Sequence, residues 1–263
     1  MEELNGIALS QEELLVALLL AKLPALAGFD DLETRVFGTL PDAFRPMLLA
    51  AGERGLLARG ILTFTEAESA LNDDILTLLQ TCAKPTRTWL IVHQPRGQSD
   101  RTTYVHQAAQ MIAHTEALAI HQFIELNGTG DLRTIISGLI AIDDAPPISG
   151  LRGMLAEPTF AKIVTAEDPV AALVPQLRVG GLADNVADAF AASISQRTGI
   201  TACALFEHQR ESAPPQVVTV ISSPAGHWAI MPHTQNTVRI QQVDGALLIE
   251  ALDRLGAVAE THS

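Results

Sequence analysis

The sequence is poor in the residue types that would indicate a disulfide scaffold, a nucleic-acid binder or a membrane span. Among 263 residues there are two cysteines, Cys82 and Cys203, without a CxxC pair, which excludes a disulfide framework and favours a reducing compartment. Lys and Arg number 17 against 30 Asp and Glu, and the net charge of −13 opposes binding to phosphate backbones and anionic lipid. The apolar run 14–26 is interrupted by Lys22 and Pro24, so it does not predict a bilayer-spanning helix. We therefore expect a cytoplasmic protein that neither binds nucleic acid nor inserts into a membrane.

Aromatic residues are also scarce, at 4% of the chain, whereas apolar residues as a whole reach 48%. The core must then be built mainly from Leu, Ile, Val and Ala, and the composition excludes a disordered chain. The length allows one large domain or two smaller ones.

The first third of the chain has the apolar spacing of helices. Ser10 and Glu13 form the pattern of a capping box ahead of a leucine-rich stretch. Gly60 and Pro85 are placed to end two later helices. The patterns predict helices over residues 11–23, 42–59 and 72–82, with no strand among them.

Beyond residue 85 the pattern changes to short β-prone segments, and the order of elements recurs. Four strands and a helix are predicted at 88–93, 102–108, 111–114, 118–126 and 131–140, and again at 201–208, 216–222, 227–232, 237–242 and 244–255. A helix is predicted at 182–196, and the Pro- and Gly-rich stretch 143–181 is interpreted as a linker with short helical turns. The predicted fold class is α+β, with two similar ββββα units of antiparallel sheet related by pseudo-twofold duplication, plus N-terminal and central helices. Domains are predicted at 1–145 and 146–263, with one integrated domain as the alternative.

No catalytic motif of the nucleophile-elbow, phosphate-loop, dinucleotide or zinc-protease type occurs in the sequence. Gly128 and Gly130 lack the third glycine of a nucleotide-binding turn. Four histidines fall in one predicted sheet, but they lack ligand spacing and accompanying Cys or carboxylates: His93, His106, His114 and His121. Solvated histidines on a sheet surface are therefore the better interpretation, and His93 with His208 is interpreted as a repeated structural position. We expect no catalytic residue, no cofactor and no metal, and we expect the protein not to be an enzyme.

A winged-helix DNA reader is a further alternative for residues 42–93. Its recognition helix would fall within 65–82, which carries Glu66, Glu68, Asp73 and Asp74 without Lys or Arg. That charge is the opposite of what a major-groove helix needs, so DNA binding is disfavoured.

Several segments resemble the EspG-like chaperones of type VII secretion systems. They are Leu23-Pro24 at the end of the first helix, the segment 56–62 with its Leu-Ala-Arg-Gly-Ile stretch, Ile75, Leu78 and Leu79 ahead of Pro85, Gly226-His227-Trp228, and Val238-Arg239-Ile240. The chain departs from the family where Gln242-Val243-Asp244 replaces a Pro-Ala-Asp type entry to the last helix, and its middle section has no counterpart.

The resemblance implies a non-catalytic cytoplasmic protein that keeps an apolar helical partner soluble. A sheet face left uncovered by one helix would accept such a partner. The candidate partner-binding residues are Arg96, Arg101, Phe206, Val218, Val220, Trp228 and Ile230. The alternative is a small-molecule-binding or enzymatic domain with a site between the halves, near His93, His208 or Gly128. Either a monomer or a homodimer is compatible with the sequence.

Overall fold

The computed structural model describes residues 6–64, 69–140, 149–165, 168–209 and 214–257. Within these ranges the helices are α1 (Gln11–Leu20), α2 (Leu32–Phe37), α3 (Arg45–Ala58), α4 (Asp73–Ala83), α5 (Thr129–Ile140), α6 (Glu157–Val164), α7 (Val170–Val179), α8 (Asp184–Ser195) and α9 (Gly245–Ala257), with a short 3-10 helix at Asp42–Phe44. Some sequence predictions rest on residues outside these ranges, namely Glu66, Glu68, 141–148 and 210–213.

The strands are β1 (Gly6–Ser10), β2 (Leu62–Phe64), β3 (Ser69–Leu71), β4 (Arg87–Pro95), β5 (Arg101–Gln107), β6 (Met111–Ala117), β7 (Ile120–Leu126), β8 (Arg152–Ala156), β9 (Gly199–Glu207), β10 (Gln216–Ser223), β11 (Gly226–Thr234) and β12 (Thr237–Val243). The α+β prediction is confirmed, and four strands followed by a helix occur twice along the chain, as β4 to α5 and as β9 to α9. The pseudo-twofold duplication stays a prediction.

Two compact units share the chain. Unit 1 contains residues 1–89, 103–129 and 206–213, and unit 2 contains 90–102, 130–205 and 214–263. In unit 1 the strand order is β1-β7-β6-β5 with antiparallel pairing, and β2 pairs with β3 as a separate hairpin. In unit 2 the order is β4-β9-β10-β11-β12-β8, with antiparallel pairing from β9 to β8. The domain boundary at residue 145 stays a prediction.

The core of unit 1 forms around α1, which begins at the predicted capping box. The Ser10 hydroxyl accepts from the Glu13 N–H at 3.2 Å, and the Ser10 N–H donates to the Glu13 carboxylate at 3.0 Å. Five consecutive residues of α1, from Leu14 to Leu18, are buried, so the helix is enclosed on all sides rather than amphipathic. It packs with residues that include Leu56, Leu79 and Phe123.

The core of unit 2 lies between its sheet and the helices α7 and α8. Phe190 and Ile194 of α8 cluster with Trp228 and Ile240 of the sheet. The indole N–H of Trp228 donates to the Ser193 hydroxyl at 2.9 Å, so the polar edge of this fully buried ring is satisfied.

Two sequence predictions about secondary structure are wrong. The N-terminal third is not all helical, because Gly6–Ser10 pairs with β7, and Leu62–Phe64 pairs with Ser69–Leu71. The middle section is not a linker, because Arg152–Ala156 is a strand paired with β12, and α6 and α7 contribute Ile163, Leu173 and Leu177 to the core. Pairing with a distant strand decided β1 and β8, and local propensity does not register such pairing.

Candidate partner-binding site

The loop between β4 and β5 carries two of the predicted contact residues at the surface of unit 2. Residues 96–101 are exposed, and Gly97 has a φ of +73°, which suits glycine at a tight turn. The loop is anchored where the Arg96 N–H donates to the carbonyl of Thr198 at 2.8 Å and where Gln94 Nε2 donates to the Asp100 carboxylate at 2.9 Å. Arg96 and Arg101 thus sit in an anchored loop, at positions that a partner can reach.

Four of the five predicted apolar contact residues lie in the core instead. Val218, Val220, Trp228 and Ile230 are exposed by 1%, 2%, 0% and 3%. Phe206, at the end of β9 in unit 1, is 36% exposed and is accessible to a partner. The four core residues act through the fold, since a partner cannot touch them unless the sheet opens.

The expected uncovered face is absent from the described sheet of unit 2 around these residues. Ile221 is registered opposite Trp228, and Val220 opposite Ala229, so these two pairs point to opposite faces of the sheet. The face of Trp228 is covered by α7 and α8. The other face is buried at Val218 and Val220, and α9 lies against β10 and β12. Of the helices that close the two faces, α8 and α9 were predicted, whereas α7 lies in the section interpreted as a linker.

The histidines of unit 1 form a buried cluster with aromatic rings. His106, His114 and His121 are each 0% exposed, and His114 Nε2 lies 3.0 Å from His121 Nδ1. The ring of His114 stacks on Phe123 with a centroid distance of 4.3 Å. Burial lowers the pKa of His106 to about 4 and that of His114 to about 2, with nearby histidines adding to the effect. The three rings are therefore neutral core residues, and the interpretation of them as solvated surface histidines is wrong.

A single threonine links two of the unit 1 histidines. The hydroxyl of Thr88 lies 3.2 Å from His106 Nδ1 and 2.9 Å from His208 Nε2. His93, in unit 2, is paired through Nδ1 with the Thr201 hydroxyl at 2.9 Å. No group of three metal-ligating side chains suited to a metal ion occurs within the described ranges. His93, His106 and His208 are therefore hydrogen-bonded to threonines of neighbouring strands.

Neither cysteine has the properties of a nucleophile. Cys82 and Cys203 are buried, and burial raises the pKa of both thiols, in Cys203 to about 12. A thiol with so high a pKa is protonated at neutral pH and inert.

Unit 1 contains a groove between α1 and α3, which we call the α1–α3 groove and which the sequence did not indicate. It has a volume of about 500 Å³, and its lining includes Leu9, Glu12, Leu48, Ala51 and Ile120. A second groove, of about 410 Å³, lies at α6 and α7 in unit 2 and includes Lys162 and Val179. Neither groove is lined by His93, His208 or Gly128, the residues expected around a small-molecule site.

Large exposed apolar side chains are concentrated in unit 1. Of the ten found among the described residues, nine belong to unit 1: Leu19, Leu20, Leu40, Phe44, Met47, Phe64, Leu118, Ile120 and Phe206. Leu118 is 98% exposed at the turn between β6 and β7, where it adopts a φ of +52°. The sequence analysis placed residues 118 and 119 in a strand, because the turn contains neither Gly nor Asn.

The structure is that of an α+β protein with exposed apolar side chains and an apolar groove in unit 1 and, among the described residues, no group of side chains suited to hold a metal ion. No known protein family and no curated protein matches the sequence. Among solved structures, the chain is similar to the Mycobacterium tuberculosis type VII secretion system chaperone EspG5, solved in complex with a PE25–PPE41 dimer. The TM-score is 0.67 at 11% identity, and the match covers 92% of each chain. The chain therefore has an EspG-like fold, as the sequence resemblance predicted.

In the described part of the chain, no helix has the length and apolar character needed to cross a bilayer.

Proposed function

We propose that this protein is a non-catalytic, chaperone-like binding protein that holds an apolar helical protein partner in the cytoplasm. The observation that carries the proposal is the likeness to EspG5, which extends over 92% of both chains and therefore includes the fold as a whole. EspG5 was solved holding a PE25–PPE41 dimer. A binding role on the same fold needs accessible surface features but no active site.

The loop at residues 96–101 is the candidate contact surface in unit 2. Its backbone is held by the Arg96 N–H bond to Thr198 and by the bond between Gln94 and Asp100, so it loses little conformational freedom when a partner binds. Arg96 Nη1 donates to the Ser195 carbonyl at 3.4 Å, which orients that guanidinium, and the remaining N–H groups of Arg96 and those of Arg101 can donate to carboxylates or carbonyls of a partner. In unit 1, Phe206 offers an apolar contact of its own.

The test is to express the tagged protein in its native cytoplasm and to identify stoichiometric partners by mass spectrometry, then to reconstitute the complex from purified components. We expect a helical protein whose binding is lost in the Arg96→Glu, Arg101→Glu double variant. The Arg152→Glu, Arg239→Glu double variant is the matched control, because both residues are exposed, on β8 and β12, at least four strands from β4 in the sheet of unit 2.

Retention of the partner by the double variant would remove the loop from the binding surface. Absence of any stoichiometric protein, together with a small molecule retained through purification, would refute the chaperone-like role and favour a ligand-binding protein.

A further inference from the structure

The α1–α3 groove exists because two helices cross in close contact at glycines. A Cβ atom at Gly52 of α3 would lie 2.7 Å from the carbonyl oxygen of Glu12, and one at Gly55 would lie 2.5 Å from the Glu13 carboxylate. The glycines let the backbone of α3 approach the first turn of α1, beside β1 and the start of β7. The groove is thus a built feature of the helix crossing.

The apolar surface continues from the groove along α3. Ala51 lines the groove and is exposed, and Met47 lies one helical turn before it on the same face of α3. Phe44, the last residue of the short 3-10 helix, lies three residues before Met47. Met47 and Phe44 are 66% and 49% exposed. From Phe44 to Ala51 the chain advances about 10 Å, roughly two turns of an opposing helix.

The turn at Leu118 borders the other side of the groove. The Gln11 N–H donates to the carbonyl of Ala119 at 3.2 Å, and Ile120, which follows at once, lines the groove. Leu118 and Ala119 have φ values of +52° and +63°, in the left-handed region that costs a side-chain-bearing residue about 1 to 2 kcal/mol. A strained turn that presents a fully exposed leucine beside an apolar groove is a typical binding feature.

The charge at the groove indicates which occupant fits. Glu13 and Arg59 both line the groove and pair with each other at 2.9 Å, and the Glu13 carboxylate also accepts from the Ser10 N–H, so their charges offset each other. Glu12 lines the groove and has no ionic partner among the described residues. An apolar wall next to an unpaired carboxylate suits the aliphatic stem and cationic head of Lys or Arg. A second copy of this chain does not fit, since it would bring another Glu12 carboxylate and a net charge of −13.

We infer that the α1–α3 groove binds an amphipathic helix of a partner protein, with the apolar face of that helix on α3 and Leu118 and a Lys or Arg paired with Glu12. The inference deepens the proposed function, on which it rests for the helical nature of the partner, and it assigns the partner's chemistry and a surface in unit 1.

The experiment measures binding of two synthetic peptides to the full chain by fluorescence anisotropy at about 0.15 M salt. Both are helical peptides of about 18 residues with one Leu/Ala face, and they differ only in having Lys or Glu beside that face. We expect the Lys peptide to bind at least about tenfold more tightly than the Glu peptide. Glu12→Lys should reverse this preference, whereas Glu157→Lys, an equal charge change at an exposed site of unit 2, should leave it unchanged.

Two further variants test the apolar wall. Ala51→Asn, an uncharged polar change at an exposed position of the groove, should weaken both peptides by about tenfold, and Leu118→Asn should weaken them while leaving the chain folded. No binding of the Lys peptide, or binding that Glu12→Lys and Ala51→Asn leave unchanged, would overturn the inference. A natural helical partner that remains bound to both groove variants would also overturn it but leave the proposed function standing.

Discussion

We predict that the protein loses stability as the pH is lowered, because two histidines of unit 1 are buried in their neutral form. The pKa of His106 falls from an ordinary 6.5 to about 4 in the folded chain, because burial disfavours its charged form and His208 lies nearby. The pKa of His114 falls to about 2, through burial and the neighbouring His121 and His106. The unfolded chain therefore takes up protons first as the pH falls. The contribution of these rings is complete above about pH 6.5 and is lost progressively below it.

The magnitude follows from linkage. A histidine whose pKa is 6.5 unfolded and 4 or lower folded reduces the free energy of unfolding by about 2 kcal/mol between about pH 7.5 and pH 5. His106 and His114 together should then remove about 4 kcal/mol, a large fraction of the 5–15 kcal/mol typical of a folded domain.

Urea unfolding followed by circular dichroism at several pH values measures this loss. His106→Gln keeps a hydrogen-bonding partner for Thr88 and removes one titrating ring, so its pH dependence should be weaker by about 2 kcal/mol over the same range. His233→Gln is the control, because His233 is exposed on β11. Comparison of the variants cancels the general effect of net charge. An unfolding free energy that is equal at both pH values, or a full pH dependence in His106→Gln, would refute the reasoning.

Three substitutions give further predictions. Gly52→Ala should lower the free energy of unfolding by about 1 to 3 kcal/mol, because the new Cβ meets a backbone carbonyl. Gly138→Ala, in open space within α5, should raise it by about 0.5 to 1 kcal/mol. Thermal unfolding measures both changes, and stabilisation by both variants would contradict the close contact at Gly52. Trp228→Phe should cost about 2 kcal/mol in urea, since it leaves a gap and an unpaired Ser193 hydroxyl, and an unchanged midpoint would show the indole bond to be unimportant. Leu118→Asn should raise the melting temperature by relieving the left-handed turn, and a lower one would show that Leu118 is not strained.

Elements whose signals are local could be predicted from the sequence. The Ser10 and Glu13 pattern starts α1 where it was predicted, because a capping box acts within one helical turn. The two series of four strands and a helix follow alternation and turn residues, which are likewise local. The scarcity of recognisable motifs pointed to a binding protein, and the resemblance to EspG-like chaperones led to the fold that the comparison shows.

Tertiary structure alone decided which surfaces are available. Val218 and Val220 alternate with Thr219 along β10 as residues of a half-exposed sheet would, yet α9 lies on their side and α8 lies on the side of Trp228. Strand alternation carries no information on how many helices pack on a sheet. β1 and β8 are strands because they pair with β7 and β12, far away in sequence. The α1–α3 groove depends on a helix crossing between residues about 40 positions apart, at Gly52 and Glu12. Non-local packing of this kind leaves no periodic signal in the chain, so the groove could be found only from the folded protein.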